Sequence, residues 1–84
     1  MRAEELLLRY QDGERNFQGI ELRYSDKFRR VDLSRADFSS AHFSNCGLRE
    51  ANFDHAILRN ATIDANLRRA SFKFADLQGA SFCQ

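Results

Sequence analysis

A large apolar side chain returns every five residues along almost the whole of this chain, a period that neither an α-helix nor a simple strand produces. From Val31 the sequence divides into VDLSR, ADFSS, AHFSN, CGLRE, ANFDH, AILRN and ATIDA. After one missing residue at Asp64-Ala65-Asn66 it resumes as ANLRR, with Ala65 shared, then ASFKF, ADLQG and ASFCQ. Upstream, RNFQG and IELRY keep the spacing, and one extra residue around Ser25 to Lys27 precedes Phe28.

The centres of these fives are Phe17, Leu22, Phe28, Leu33, Phe38, Phe43, Leu48, Phe53, Leu58, Ile63, Leu67, Phe72, Leu77 and Phe82. Two residues before each centre the side chain is usually alanine; the exceptions are Arg15, Ile20, Asp26, Val31 and Cys46. On an α-helix five residues advance the face by about 500°, so the apolar residues would spiral around it and define no buried stripe. A chain that turns a corner after every five residues fits instead. On each side the centre and the residue two before it point the same way by strand alternation. Pointing inward, they fill a tube with one large and one small residue per side.

The pattern A-(D/N)-(L/F)-x-x, carried from Arg15 to Phe82, resembles that of the pentapeptide-repeat family, and AEELLLRYQDGERNFQGIEL resembles the start of members from photosynthetic bacteria. The resemblance implies an all-β solenoid, a right-handed quadrilateral β-helix with four repeats per coil and about 3.5 coils in all. Coils are then expected to stack at roughly 4.8 Å. The expected division is a capping segment at residues 1–14 and a β-helix at 15–84, forming one domain.

Ala3, Leu6, Leu7 and Tyr10 fall on one face at helical spacing, with Glu4 and Glu5 in the first turn, Arg9 in the last and Gly13 as a left-handed stop. A short α-helix from residue 3 to about 11, laid over the first coil, is the expectation. At the other end Leu67, Phe72, Leu77 and Phe82 line a coil with nothing expected over it, next to Cys83. An open apolar ring is an aggregation hazard. Two readings follow, an end-to-end homodimer or a longer protein cut at this point; family members that dimerise commonly use their C-terminal coils, so the homodimer is expected.

Thirteen Lys and Arg against twelve Asp and Glu give a net charge of +1, which argues against an acidic mimic of nucleic acid. Assigning successive repeats to four walls places Arg29, Arg49 and Arg68 directly after the centres of the third wall, with Arg30, Glu50 and Arg69 next along. Five arginines stacked around one glutamate form either a solvated ladder or a docking stripe for an acidic protein segment or a phosphate-bearing ligand. Tyr24, Ile57 and Phe74 occupy outward positions that could extend a contact surface.

His42, His55 and Cys46 fall on different walls, no CxxC or HxxxH spacing occurs, and Asp32 and Asp37 face different sides. These placements point to no metal site, no cofactor, no catalytic triad and no enzyme. The apolar run Leu6 to Leu8 is too short for a signal peptide or a membrane span, and two cysteines make no disulfide framework, so a cytoplasmic protein is expected. The function expected is a rigid protein–protein interaction module whose partner the sequence does not name. The alternatives are topoisomerase modulation by DNA mimicry, known for quinolone-resistance members of the family, and direct nucleic-acid binding through the arginines.

Overall fold

The computed structural model describes residues 1–83; Gln84, the last residue of the expected β-helix, lies outside the described residues. The element order is α1 (Ala3–Gln11), β1 (Glu21–Arg23), β2 (His42–Gly47), β3 (Thr62–Asn66) and β4 (Ser81–Cys83). The four strands form one parallel sheet in the order β1-β2-β3-β4. They are successive passes of the chain over the second wall, pairing Leu22 with Phe43, Phe43 with Ile63, and Ile63 with Phe82. Isolated parallel bridges tie the first wall through Asn16, Asp37, Ile57 and Asp76, and the fourth through Asp32, Asn52 and Ser71. The chain is therefore a right-handed quadrilateral β-helix measuring 28 × 22 × 22 Å.

Its interior follows the five-residue period. Phe17, Phe28, Phe38, Phe43 and Phe53 are fully buried with Leu22, Leu33, Leu48, Leu58 and Ile63. Ala36, Ala41, Ala51, Ala56, Ala61 and Ala65 are buried in the small inward positions, and Cys46 takes one of the same slots. Two pairs of rings stack between coils: Phe17 lies over Phe38 with ring centroids 5.5 Å apart, and Phe53 over Phe72 at 5.1 Å with the planes 2° apart. Full burial of each such side chain contributes about 1.5–3 kcal/mol. The apolar contacts run from coil to coil, so each turn covers the next.

The corners explain the rest of the repeat. At most of them the residue two after the centre holds a positive φ: Arg30 61°, Arg35 63°, Ser40 60°, Glu50 61°, His55 62°, Asn60 59°, Arg69 62° and Phe74 59°. The N–H of the third residue after the centre donates back to the centre's carbonyl, as from Ala51 to Leu48 and from Ala56 to Phe53. A positive φ at the third position of such a turn is the mark of a type II turn. Where an Asp or Asn precedes the centre, it holds the turn from outside. Its side-chain oxygen accepts the N–H two residues on, in Asp32–Ser34 (3.0 Å), Asp37–Ser39 (2.9 Å), Asn52–Asp54 (2.8 Å), Asn66–Arg68 (3.1 Å) and Asp76–Gln78 (3.1 Å). This is the Asx turn, and it gives the second position of the repeat its chemistry.

The corner between the second and third walls is graded. Six steps separate Leu22 from Phe28, five separate Phe43 from Leu48, and four separate Ile63 from Leu67. The pairing of β2 with β3 slips between Ser44 and Cys46 to absorb the difference, so the extra and the missing residue belong to one edge.

Helix α1 closes the first coil. Ala3 and Leu6 are buried on it, and Leu7 and Tyr10 pack partly against the core. The Tyr10 hydroxyl donates to the Ser34 carbonyl at 2.7 Å, and Lys27 pairs with Glu4 at 2.7 Å. Arg9 is ion-paired with Glu14 and lies over the Phe17 ring. Arg15, in a slot that points inward elsewhere, is exposed and stacks on Tyr10 with its guanidinium carbon 3.7 Å from the ring centre. Gly13, at φ 99°, ends the helix in the left-handed region.

Candidate interaction surface

The third wall carries the arginines in register. The Arg30 N–H donates to the Arg49 carbonyl at 2.9 Å, and the Glu50 N–H to the Arg68 carbonyl at 2.8 Å. Arg29, Arg49 and Arg68 thus stand on consecutive coils, and Arg30, Glu50 and Arg69 stand beside them. Their side chains leave the tube because the alternate positions, Phe28, Leu48 and Leu67, take the interior.

Glu50 binds Arg30, Nε to Oε1 3.3 Å. That contact, reinforced by the charges of Arg30, Arg29 and Arg69, holds the Glu50 carboxyl below its ordinary range. Among the described residues Arg29, Arg49, Arg68 and Arg69 form no ion pair. Arg29, Arg68 and Arg69 are exposed; Arg49 is half-buried, and its Nε is shut off from solvent without a hydrogen-bond partner. The wall is a basic ladder only partly neutralised from within.

The C-terminal coil forms a second surface. Leu67 and Phe72 are half-buried, Leu77 is 37% exposed and Phe82 45%. Phe72 and Phe82 meet edge to face at 5.9 Å. Cys83 is exposed beside them, and Cys46 is buried.

Other outward groups do not converge. Phe74 is 84% exposed at the corner between the fourth and first walls, near Ile57. Tyr24 is 77% exposed at the diagonally opposite corner, so the three make no single patch. His42 and His55 lie on the second and fourth walls, and among the described residues no group of His, Cys, Asp and Glu is arranged to hold a metal. No helix among them is long and apolar enough to cross a membrane. The Asx-turn carboxylates are what sequence reasoning missed: Asp32 and Asp37 read as plain surface residues, although an Asp or Asn that recurs before several of the centres is the signal.

Four parallel walls, an apolar interior of stacked Phe and Leu, and turns braced by Asp and Asn define a repeat module of the five-residue class. The family model for pentapeptide repeats matches residues 27–63 and 62–84 in 8 copies, and the chain belongs to that family. It is similar to the crystal structure of HetL, a pentapeptide repeat protein involved in heterocyst differentiation regulation from the cyanobacterium Nostoc sp. strain PCC 7120. The two share 35% identity at a TM-score of 0.89 over 95% of this chain and 34% of HetL. It is also similar to alr5209, a pentapeptide repeat protein of Nostoc PCC 7120, at 29% identity and a TM-score of 0.56, over 95% of this chain and 75% of that one. The chain spans about a third of the length of HetL. No match was found among curated proteins.

Proposed function

We propose that this chain is a non-enzymatic, cytoplasmic interaction module that docks an acidic segment of a protein partner on its third wall. One observation carries the reading: five arginines share one wall, Glu50 is the carboxylate that pairs with them, and Arg30 alone among them is ion-paired within the described residues. Guanidinium groups held at fixed spacing suit bidentate binding of carboxylates. Two separate thiols suit a reducing compartment. The test is titration of a labelled glutamate-rich peptide and of duplex DNA against the wild type and Arg49→Glu/Arg68→Glu. Peptide binding that the variant loses supports the reading; DNA binding without peptide binding replaces it.

The exposed C-terminal coil favours a second contact, between two copies of the chain. Helix α1 covers the other end, so two copies that meet through this coil do so about a twofold axis. A doubled mass in solution, lost in Leu77→Asp, is the expected result; a monomeric wild type removes the proposal.

A further inference from the structure

The spacing of the arginine ladder specifies the shape of the acidic segment, an inference that rests on the docking reading above. Arg29, Arg49 and Arg68 project from three consecutive coils whose backbones are hydrogen-bonded to one another. Adjacent hydrogen-bonded strands lie about 4.8 Å apart, so the outer two arginines leave the wall about 9.6 Å from each other. An extended peptide laid along the solenoid axis puts same-face side chains about 6.8 Å apart, reaching about 13.6 Å over three of them. On an α-helix in the same direction, positions i and i+7 are about 10.5 Å apart, with i+3 or i+4 between them. The helix matches the ladder to about 1 Å over its length, and the strand overshoots by about 4 Å.

Two features of the wall keep this match from being erased by side-chain freedom. Arg49, the middle rung, is half-buried with its Nε shut off from water, so its stem lies along the wall. Arg30 is held by Glu50, which leaves Arg69 to extend the row beside Arg68. We propose that the third wall binds an acidic α-helix aligned with the solenoid axis, carrying carboxylates at i, i+3 or i+4, and i+7 against Arg29, Arg49 and Arg68.

The experiment compares two peptides of equal length and charge. One is locked as a helix by a side-chain staple, with Glu at i, i+4 and i+7. The other places the same glutamates at alternate positions around a central proline. Both are titrated against the wild type and against Arg29→Gln/Arg68→Gln, two exposed sites, with circular dichroism as the check that the variant is folded. The expected result is at least tenfold tighter binding of the stapled peptide, with the preference lost in the variant. Equal affinity for the two peptides overturns the helical inference and leaves the acidic-segment reading standing. No binding of either peptide removes both.

Discussion

Phe74 lies flat over His55, with ring centroids 5.2 Å apart and planes 16° apart, although both residues hold a left-handed backbone, at φ 59° and 62°. Side-chain bulk is disfavoured in that region, at a cost of about 1–2 kcal/mol. The pair shows that the stacked coils dictate the corner conformation even where the residue type opposes it. Phe74 is 84% exposed, so little burial offsets the strain. Phe74→Asn should leave stability unchanged or raise it by about 0.5 kcal/mol, since Asn tolerates the left-handed region. A urea melt checks this, and a loss above about 1 kcal/mol would show that the stack outweighs the strain.

Burial falls along the tube axis, and sensitivity to truncation should fall with it. Leu48 is fully buried in the middle coil, whereas Leu77 is 37% exposed. Leu48→Ala should cost about 2–5 kcal/mol and Leu77→Ala less than about 1.5 kcal/mol in urea denaturation. Equal losses would mean that the C-terminal coil is covered in solution.

The helical cap is held by packing more than by its polar contacts. Leu6→Ala should destabilise by about 2–5 kcal/mol, because Leu6 is fully buried over the first coil. Tyr10→Phe, which removes the bond to the Ser34 carbonyl, should cost about 1 kcal/mol. Thermal melts of the two variants give the comparison.

Acid should loosen the turns. The hydroxyl and N–H of Ser34 hold the Asp32 carboxyl below its ordinary range. The Ser71 hydroxyl does the same for Asp54, and Arg59 for Asp76. Because these values are depressed in the folded chain, their stabilisation is complete above the unfolded carboxylate value of about 3.9. It is lost as pH falls through the lower folded values. The urea midpoint should therefore decrease below about pH 4. Asp32→Asn, which keeps the acceptor oxygen and removes the charge, should make that decrease shallower.

The two thiols should differ sharply in reactivity. Burial pushes the Cys46 thiol above its ordinary value, whereas Cys83 is exposed. The thiolate is the reactive form. Iodoacetamide should modify Cys83 in the native chain and Cys46 only on unfolding, as peptide mass mapping would reveal.

Most of the architecture was legible because a strict period leaves few alternatives. Phe17 to Phe82 announced the interior, the alanines two residues earlier announced its narrow places, and Leu6 with Tyr10 announced the helix. Counting repeats also brought Arg29, Arg49 and Arg68 onto one wall, where the structure has them. What the count could not supply was the state of each side chain. The Arg30–Glu50 pair and the shielded Nε of Arg49 depend on rotamers, which no period encodes. The separation of Tyr24 from Phe74 depends on the corner each residue occupies, which outward exposure alone does not give. The bracing role of Asp37 and Asn52 is not legible from outward polarity, because a solvated side chain and one whose oxygen closes a turn look alike in the sequence.

The graded corner gives the chain a way to count its own coils. Repeats this alike invite mis-stacking, in which one turn skips its neighbour and pairs with the turn beyond. Here such a skip would set the six-step corner after Leu22 against the four-step corner after Ile63, leaving two residues with no backbone facing them. Neighbouring coils differ by a single residue, which the slip beside Cys46 accommodates. The unequal corners act as notches on a key, so that a nearly periodic sequence closes in one order.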